Sequence, residues 1–136
     1  MDRTSDPGVA GSVAASFSVR ALDVPLEPGE LDPSQVIDGT PEITEAVLSE
    51  SADGRVVRGV WRITEGTVTD TEEDEVFVVL EGRATIAVDG GPRLEVGPGD
   101  VCVLERGART TWTVHEALRK VFQVTLADAE PAAGEG

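Results

Sequence analysis

The chain has 136 residues, with 26 acidic side chains against 11 lysines and arginines, and a formal charge of -15. That length suits one domain, and that charge repels a phosphate backbone, so nucleic acid is excluded as a partner. One cysteine excludes a disulfide framework and a cysteine-rich zinc site, and a single histidine removes most triad and metal chemistry.

Residues 1–16 are mostly Gly, Ala, Ser and Asp without a period, and are expected to form a disordered tail. The tail at residues 127–136 reads the same way. No apolar run approaches the roughly 20 residues a membrane helix needs, and no basic stretch precedes a leucine-rich one. The expectation is a cytoplasmic protein with no membrane partner.

Residues 17–54 read as an extended segment and the first strands. Pro25, Pro28 and Pro33 exclude a long helix there, and a short strand is expected near 17–19. Residues 55–126 then alternate short β-rich runs with turn signals. Val56, Val57, Val60, Trp61 and Ile63 mark one strand. The run 76–80 is continuously apolar, as expected of a strand covered on both faces. A strand at 83–88 leads to the hairpin turn Asp89-Gly90-Gly91-Pro92. The run 101–104 is again apolar. Strands at 110–114 and 120–126 follow, separated by a short break at 115–118. The count is eight to ten strands without helical periodicity, so the fold class is all-β. A closed or nearly closed antiparallel barrel or jelly roll protects the edges of such strands.

Two motifs carry a family resemblance. Glu75, six residues and Gly82 match the end of the first cupin motif. Gly99-Asp100 with Gly107 match the second, in which Thr110 stands at the histidine position. Trp112, Val114, Glu116 and the pair Arg119-Lys120 resemble the branch related to the cupin domain of (S)-ureidoglycine aminohydrolase. The resemblance covers roughly residues 55–126 and implies a single cupin barrel, to which the proline-rich reading adds an extended N-terminal segment.

It also implies where a metal site belongs. In metal-binding cupins, histidines and the motif glutamate converge inside the barrel. Here the first-motif histidine positions match Thr69 and Thr71, or Val68 and Asp70 if the spacing is one longer; the second-motif position is Thr110. Neutral hydroxyls beside one carboxylate make a poor transition-metal site, so no metal and no other cofactor are expected. His115 lies off the motifs and reads as a surface turn residue. The acidic run 70–75 reads as a solvated loop.

The ligand-binding residues expected are Trp61, Thr69, Thr71, Glu75, Phe77, Thr110, Trp112 and Lys120. Strand alternation puts Glu75 and Phe77 on one face, and Thr110 and Trp112 on one face. Such a lining suits a small organic molecule. Glu75 is the candidate acid or base if the protein is an enzyme, acting on a small polar, ureide-like substrate. Its bland alternative is a salt bridge to Arg62 or Arg109. Lys120, the only lysine, either meets an anionic ligand or pairs with Glu116 at the surface. Cys102 reads as an inert core residue. A third reading is an interaction module, since residues 23–53 carry nine acids and no base. A homodimer using the extended segment is expected as the assembly.

Overall fold

The computed structural model describes residues 16–127. The expected tails therefore lie outside the described residues, apart from Ser16 and Ala127. Nine strands follow in chain order: β1 Glu27–Pro28, β2 Val36–Asp38, β3 Ile43–Glu50, β4 Val56–Ile63, β5 Gly66–Thr71, β6 Asp74–Val88, β7 Arg93–Val96, β8 Val101–Leu104 and β9 Arg109–Thr125. The helical pieces among the described residues are two three-residue 3-10 turns, Ala21–Asp23 and Pro33–Gln35. The fold is all-β and antiparallel, as expected.

The two longest strands organise it. β6 and β9 pair from Asp74 opposite Thr125 to Val88 opposite Thr110. On its other edge, the C-terminal half of β9 pairs with β4 and the N-terminal half with β5. β6 takes β8 beside its first half and β7 beside its second. β3 and β1 extend the β4 side, and β2 extends the β5 side. Both long strands thus belong to both halves of one sheet, which curls into a barrel.

Four sequence expectations change. The runs at 76–80 and 83–88 are one strand, and the break expected at 115–118 lies within β9. The reason is a bend rather than a loop. Pairing shifts between Val79 and Glu81, Glu81 and Arg83, and Arg83 and Ala84. Gly82, at φ +89°, sits in the left-handed region, and a Cβ there would run into the Ala117 carbonyl oxygen. Only glycine allows the two strands to turn together at this point.

The strand expected at 17–19 does not form. The chain just after it is held by Arg119, whose guanidinium donates to the carbonyls of Ala21 (2.9 Å) and Val24 (2.8 Å). The apolar runs are also covered on one face only. Phe77, Val79, Cys102 and Leu104 join the core, while Val101 and Val103 are 63% and 71% exposed. Valine favours the pleated backbone wherever it points, so a run of valines does not report burial.

The core inside the barrel contains Ile63, Phe77, Val79, Ile86, Trp112, Val114 and Leu118. Ile63, Val68 and Trp112 of this core also border a cavity.

Candidate ligand site inside the barrel

The cavity has a volume of about 420 Å³. That is within the range of small-molecule sites, about 300–1,000 Å³. Trp61, Glu75, Trp112 and Lys120, all expected site residues, border it.

Lys120 and Glu75 form its charged centre. Lys120 Nζ donates to Glu75 Oε2 at 2.7 Å, with side-chain exposures of only 6% and 8%. The same ammonium lies 4.4 Å from the Trp61 ring centroid, 4.2 Å from that of Phe77 and 5.0 Å from that of Trp112. A desolvated cation held by one carboxylate and three ring faces is strongly localised. Glu75 therefore meets neither Arg62 nor Arg109, and Lys120 does not pair with Glu116, whose partner is Arg83. Inner-face alternation decides this: Lys120 shares its face with Trp61, its cross-strand partner on β4.

The register of β5 resolves the motif spacing. Val68 and Asp70 lie opposite Trp112 and Thr110, so they share the inner face. Thr69 and Thr71 face the other way, with Thr111 and Arg109. Thr69 touches the cavity rim and its hydroxyl donates to the Gln35 carbonyl at 3.4 Å. Thr71 is exposed and does not border the cavity. Phe77 is fully buried beneath the Lys120 ammonium.

Sequence reasoning missed Glu72. The acidic run 70–75 is not a uniformly solvated loop: Glu72 is 6% exposed and borders the cavity at the turn from β5 into β6. Its Oε2 accepts from the Thr110 hydroxyl at 2.7 Å and from the Trp112 indole N–H at 3.1 Å. Burial pushes its carboxyl above the ordinary glutamate value. The two hydrogen bonds oppose that rise, and the charges of Asp70 and Glu75 add to it. Partial burial likewise raises Asp70, against the bond from the Thr71 N–H and the charge of Lys120. The signal that could have found Glu72 is Thr110, a hydroxyl on an inner face in need of an acceptor.

Cys102 is buried, and desolvation pushes its thiol up to about 11. His115 is exposed on β9 rather than in a turn, and its Nε2 lies 2.8 Å from the Thr85 hydroxyl.

The residues at the metal positions do not fit a transition metal. They are Val68, Asp70, Glu75 and Thr110, and the cation Glu75 meets is the Lys120 ammonium. Thr110 spends its hydroxyl on Glu72. Among the described residues, no group of three or more His, Cys, Asp or Glu is arranged to hold a metal ion.

The curled antiparallel barrel with polar residues converging inside is consistent with a single cupin barrel. The chain belongs to the EutQ-like cupin domain family, whose profile matches residues 50–122. Among solved structures, it resembles a protein of unknown function of the DUF861 family from Pseudomonas syringae pv. tomato str. DC3000. The two are 28% identical, with a TM-score of 0.71, over 79% of this chain and 46% of that one. The chain thus spans about half of that relative's length. The Clostridium difficile EutQ protein is 20% identical, with a TM-score of 0.62, over 82% of this chain and 87% of that one. The Schizosaccharomyces pombe Cnp3 cupin domain is 14% identical, with a TM-score of 0.59, over 81% and 74%. The latter two likenesses concern the fold alone. No curated protein matches the chain. No helix among the described residues is long and apolar enough to cross a membrane.

Proposed function

We propose that this cupin-domain protein binds a small organic molecule inside its barrel without a metal ion. The observation that carries the reading is a cavity of about 420 Å³ that joins tryptophan walls to buried charge. Folding does not need the Lys120–Glu75 pair at that place, because apolar side chains of similar volume often stabilise as well or better. A ligand site does need fixed charge beside apolar wall. Trp61, Trp112, Glu72, Glu75 and Lys120 are the residues assigned to ligand contact, with Phe77 and Thr110 supporting them from behind. The test is a titration of ligands found by screening, comparing wild type with Trp112→Ala and Glu75→Gln. Unchanged affinity in both variants would remove the site from the barrel.

An enzyme acting on a small polar, ureide-like substrate is the second reading, and Glu72 favours it. Glu75 is held by an ammonium at 2.7 Å. Glu72 has no basic partner among the described residues, and its raised carboxyl makes it the better acid or base. Turnover that survives Glu75→Gln and disappears in Glu72→Gln would assign the proton transfer to Glu72.

The proposed assembly is a cytoplasmic homodimer. Val101 and Val103 on the outer face of β8, with Val78 beside them on β6, offer an apolar surface to a second copy. Light scattering should report a particle of two chains, and Val101→Lys/Val103→Lys should return it to one.

A further inference from the structure

We infer that the ligand of the barrel is an organic cation, a small molecule carrying a protonated amine or an amidine. This rests on the reading of the cavity as a small-molecule site and adds the charge of its occupant.

The first ground is the charge around the cavity. Glu30, Glu45, Asp70, Glu72 and Glu75 border it, against one base, Lys120. The positive charge of Lys120 is already committed to Glu75 at 2.7 Å. Glu72 inside, and the exposed Glu30, Glu45 and Asp70 at the mouth, have no basic partner among the described residues. An anionic ligand would meet this surplus of negative charge with no free cation to receive it. A neutral ligand would leave the surplus in place and exclude the water that screens it.

The second ground is an open acceptor. Glu72 is more than nine-tenths buried. Thr110 and Trp112 both donate to its Oε2, while Oε1 accepts no hydrogen bond among the described residues. Oε1 is not sealed within the protein but open at the cavity. A ligand N–H reaching it would replace the bond that cavity water otherwise supplies, and a charged one makes the stronger bond.

The third ground is the wall. Trp61 and Trp112 meet edge to face, with centroids 5.8 Å apart and planes at 64°. Ring faces attract cations, as the position of the Lys120 ammonium already demonstrates. A cation beside Glu72 would gain a carboxylate and an aromatic surface together.

The experiment is calorimetric titration of the full chain with cyclohexylamine and benzylamine, each matched to its alcohol and its carboxylate. Wild type, Glu72→Gln and Asp70→Asn are compared. Gln keeps an acceptor for Thr110 and Trp112, and Asp70→Asn lies on the solvent side, so one variant stays folded if the other does not. The amines should bind wild type at least about tenfold more tightly than their partners, and Glu72→Gln should cost them about tenfold, the scale of one lost charged hydrogen bond. Alcohols or carboxylates binding in the cavity as tightly as the amines would overturn the charge assignment and leave the barrel site standing. Amine affinity unchanged in both variants would do the same. If no probe of any charge binds in the cavity, the inference and the site reading beneath it both fall.

Discussion

Lys120 reaches Glu75 from two pleats away along the same inner face. Lys120 lies opposite Val79 across the β6–β9 pairing, and Glu75 lies opposite Val124. The Phe77–Phe122 rung stands between, and the lysine stem carries its ammonium over the Phe77 ring to the carboxylate. Neither long side chain retains freedom in this arrangement, so the pair acts as a fixed internal dipole rather than a surface ion pair.

Breaking that pair from one side should be costly. Lys120→Met leaves Glu75 as an uncompensated buried charge, as Glu75→Gln leaves Lys120. Each should lower unfolding free energy by about 3–5 kcal/mol in urea titrations. The double variant should recover part of the loss, giving a favourable coupling. Simple additivity of the two losses would mean the charges do not depend on one another.

Glu72 sets a sign for pH dependence. Burial raises its folded carboxyl above the unfolded value, so the folded state holds this proton more tightly. Its contribution is fully present below the unfolded value and is lost as pH rises through the folded one. Asp70 acts in the same direction. Glu72→Gln removes the Glu72 part of this effect, so its stability relative to wild type should increase from about pH 4 upward and then level off. A constant difference across that range would show that Glu72 titrates normally.

Gly82 should be irreplaceable where other turn glycines are not. Gly82 and Gly90 both have positive φ, but a Cβ meets backbone at Gly82 and open space at Gly90. Gly90→Ala should cost only the backbone strain, about 1 kcal/mol. Gly82→Ala should cost well beyond that, read as a lower midpoint in thermal unfolding, because β6 and β9 would have to separate at their bend.

The thiol of Cys102 should be silent. With its pKa at about 11 and its side chain buried between β6 and the interior, almost no thiolate forms at pH 8. A disulfide reagent should leave the native protein unmodified over hours and label it promptly in denaturant. Rapid native labelling would mean that β8 opens.

The fold was legible because its punctuation is local. Glycines and prolines mark reversals, and β-branched runs mark strands, so class and approximate strand count follow. What was not legible depends on partners distant in sequence. Nothing within residues 76–88 distinguishes two short strands from one bent strand, because the bend comes from Ala117 packing against Gly82. The site divides in the same way. Alternation placed Glu75 with Phe77 and Thr110 with Trp112. The partner of Lys120 needed the β6–β9 register, and Glu72 was hidden in an acidic run whose neighbours Glu73 and Asp74 pair outward with Arg106.

The central claim is that the barrel interior is the ligand site, and the chain's two tryptophans, both bordering the cavity, report on it directly. The measurement is the two-dimensional NMR spectrum of the nitrogen-15-labelled chain during titration with benzylamine. The account predicts that both indole N–H signals move in a saturable way. The Trp112 signal, whose N–H is bonded to Glu72 at 3.1 Å, should move most, with the backbone amides of Glu72 and Lys120 following. Both indole signals holding still, while amides on the outer face of β8 move or nothing moves at all, would contradict it.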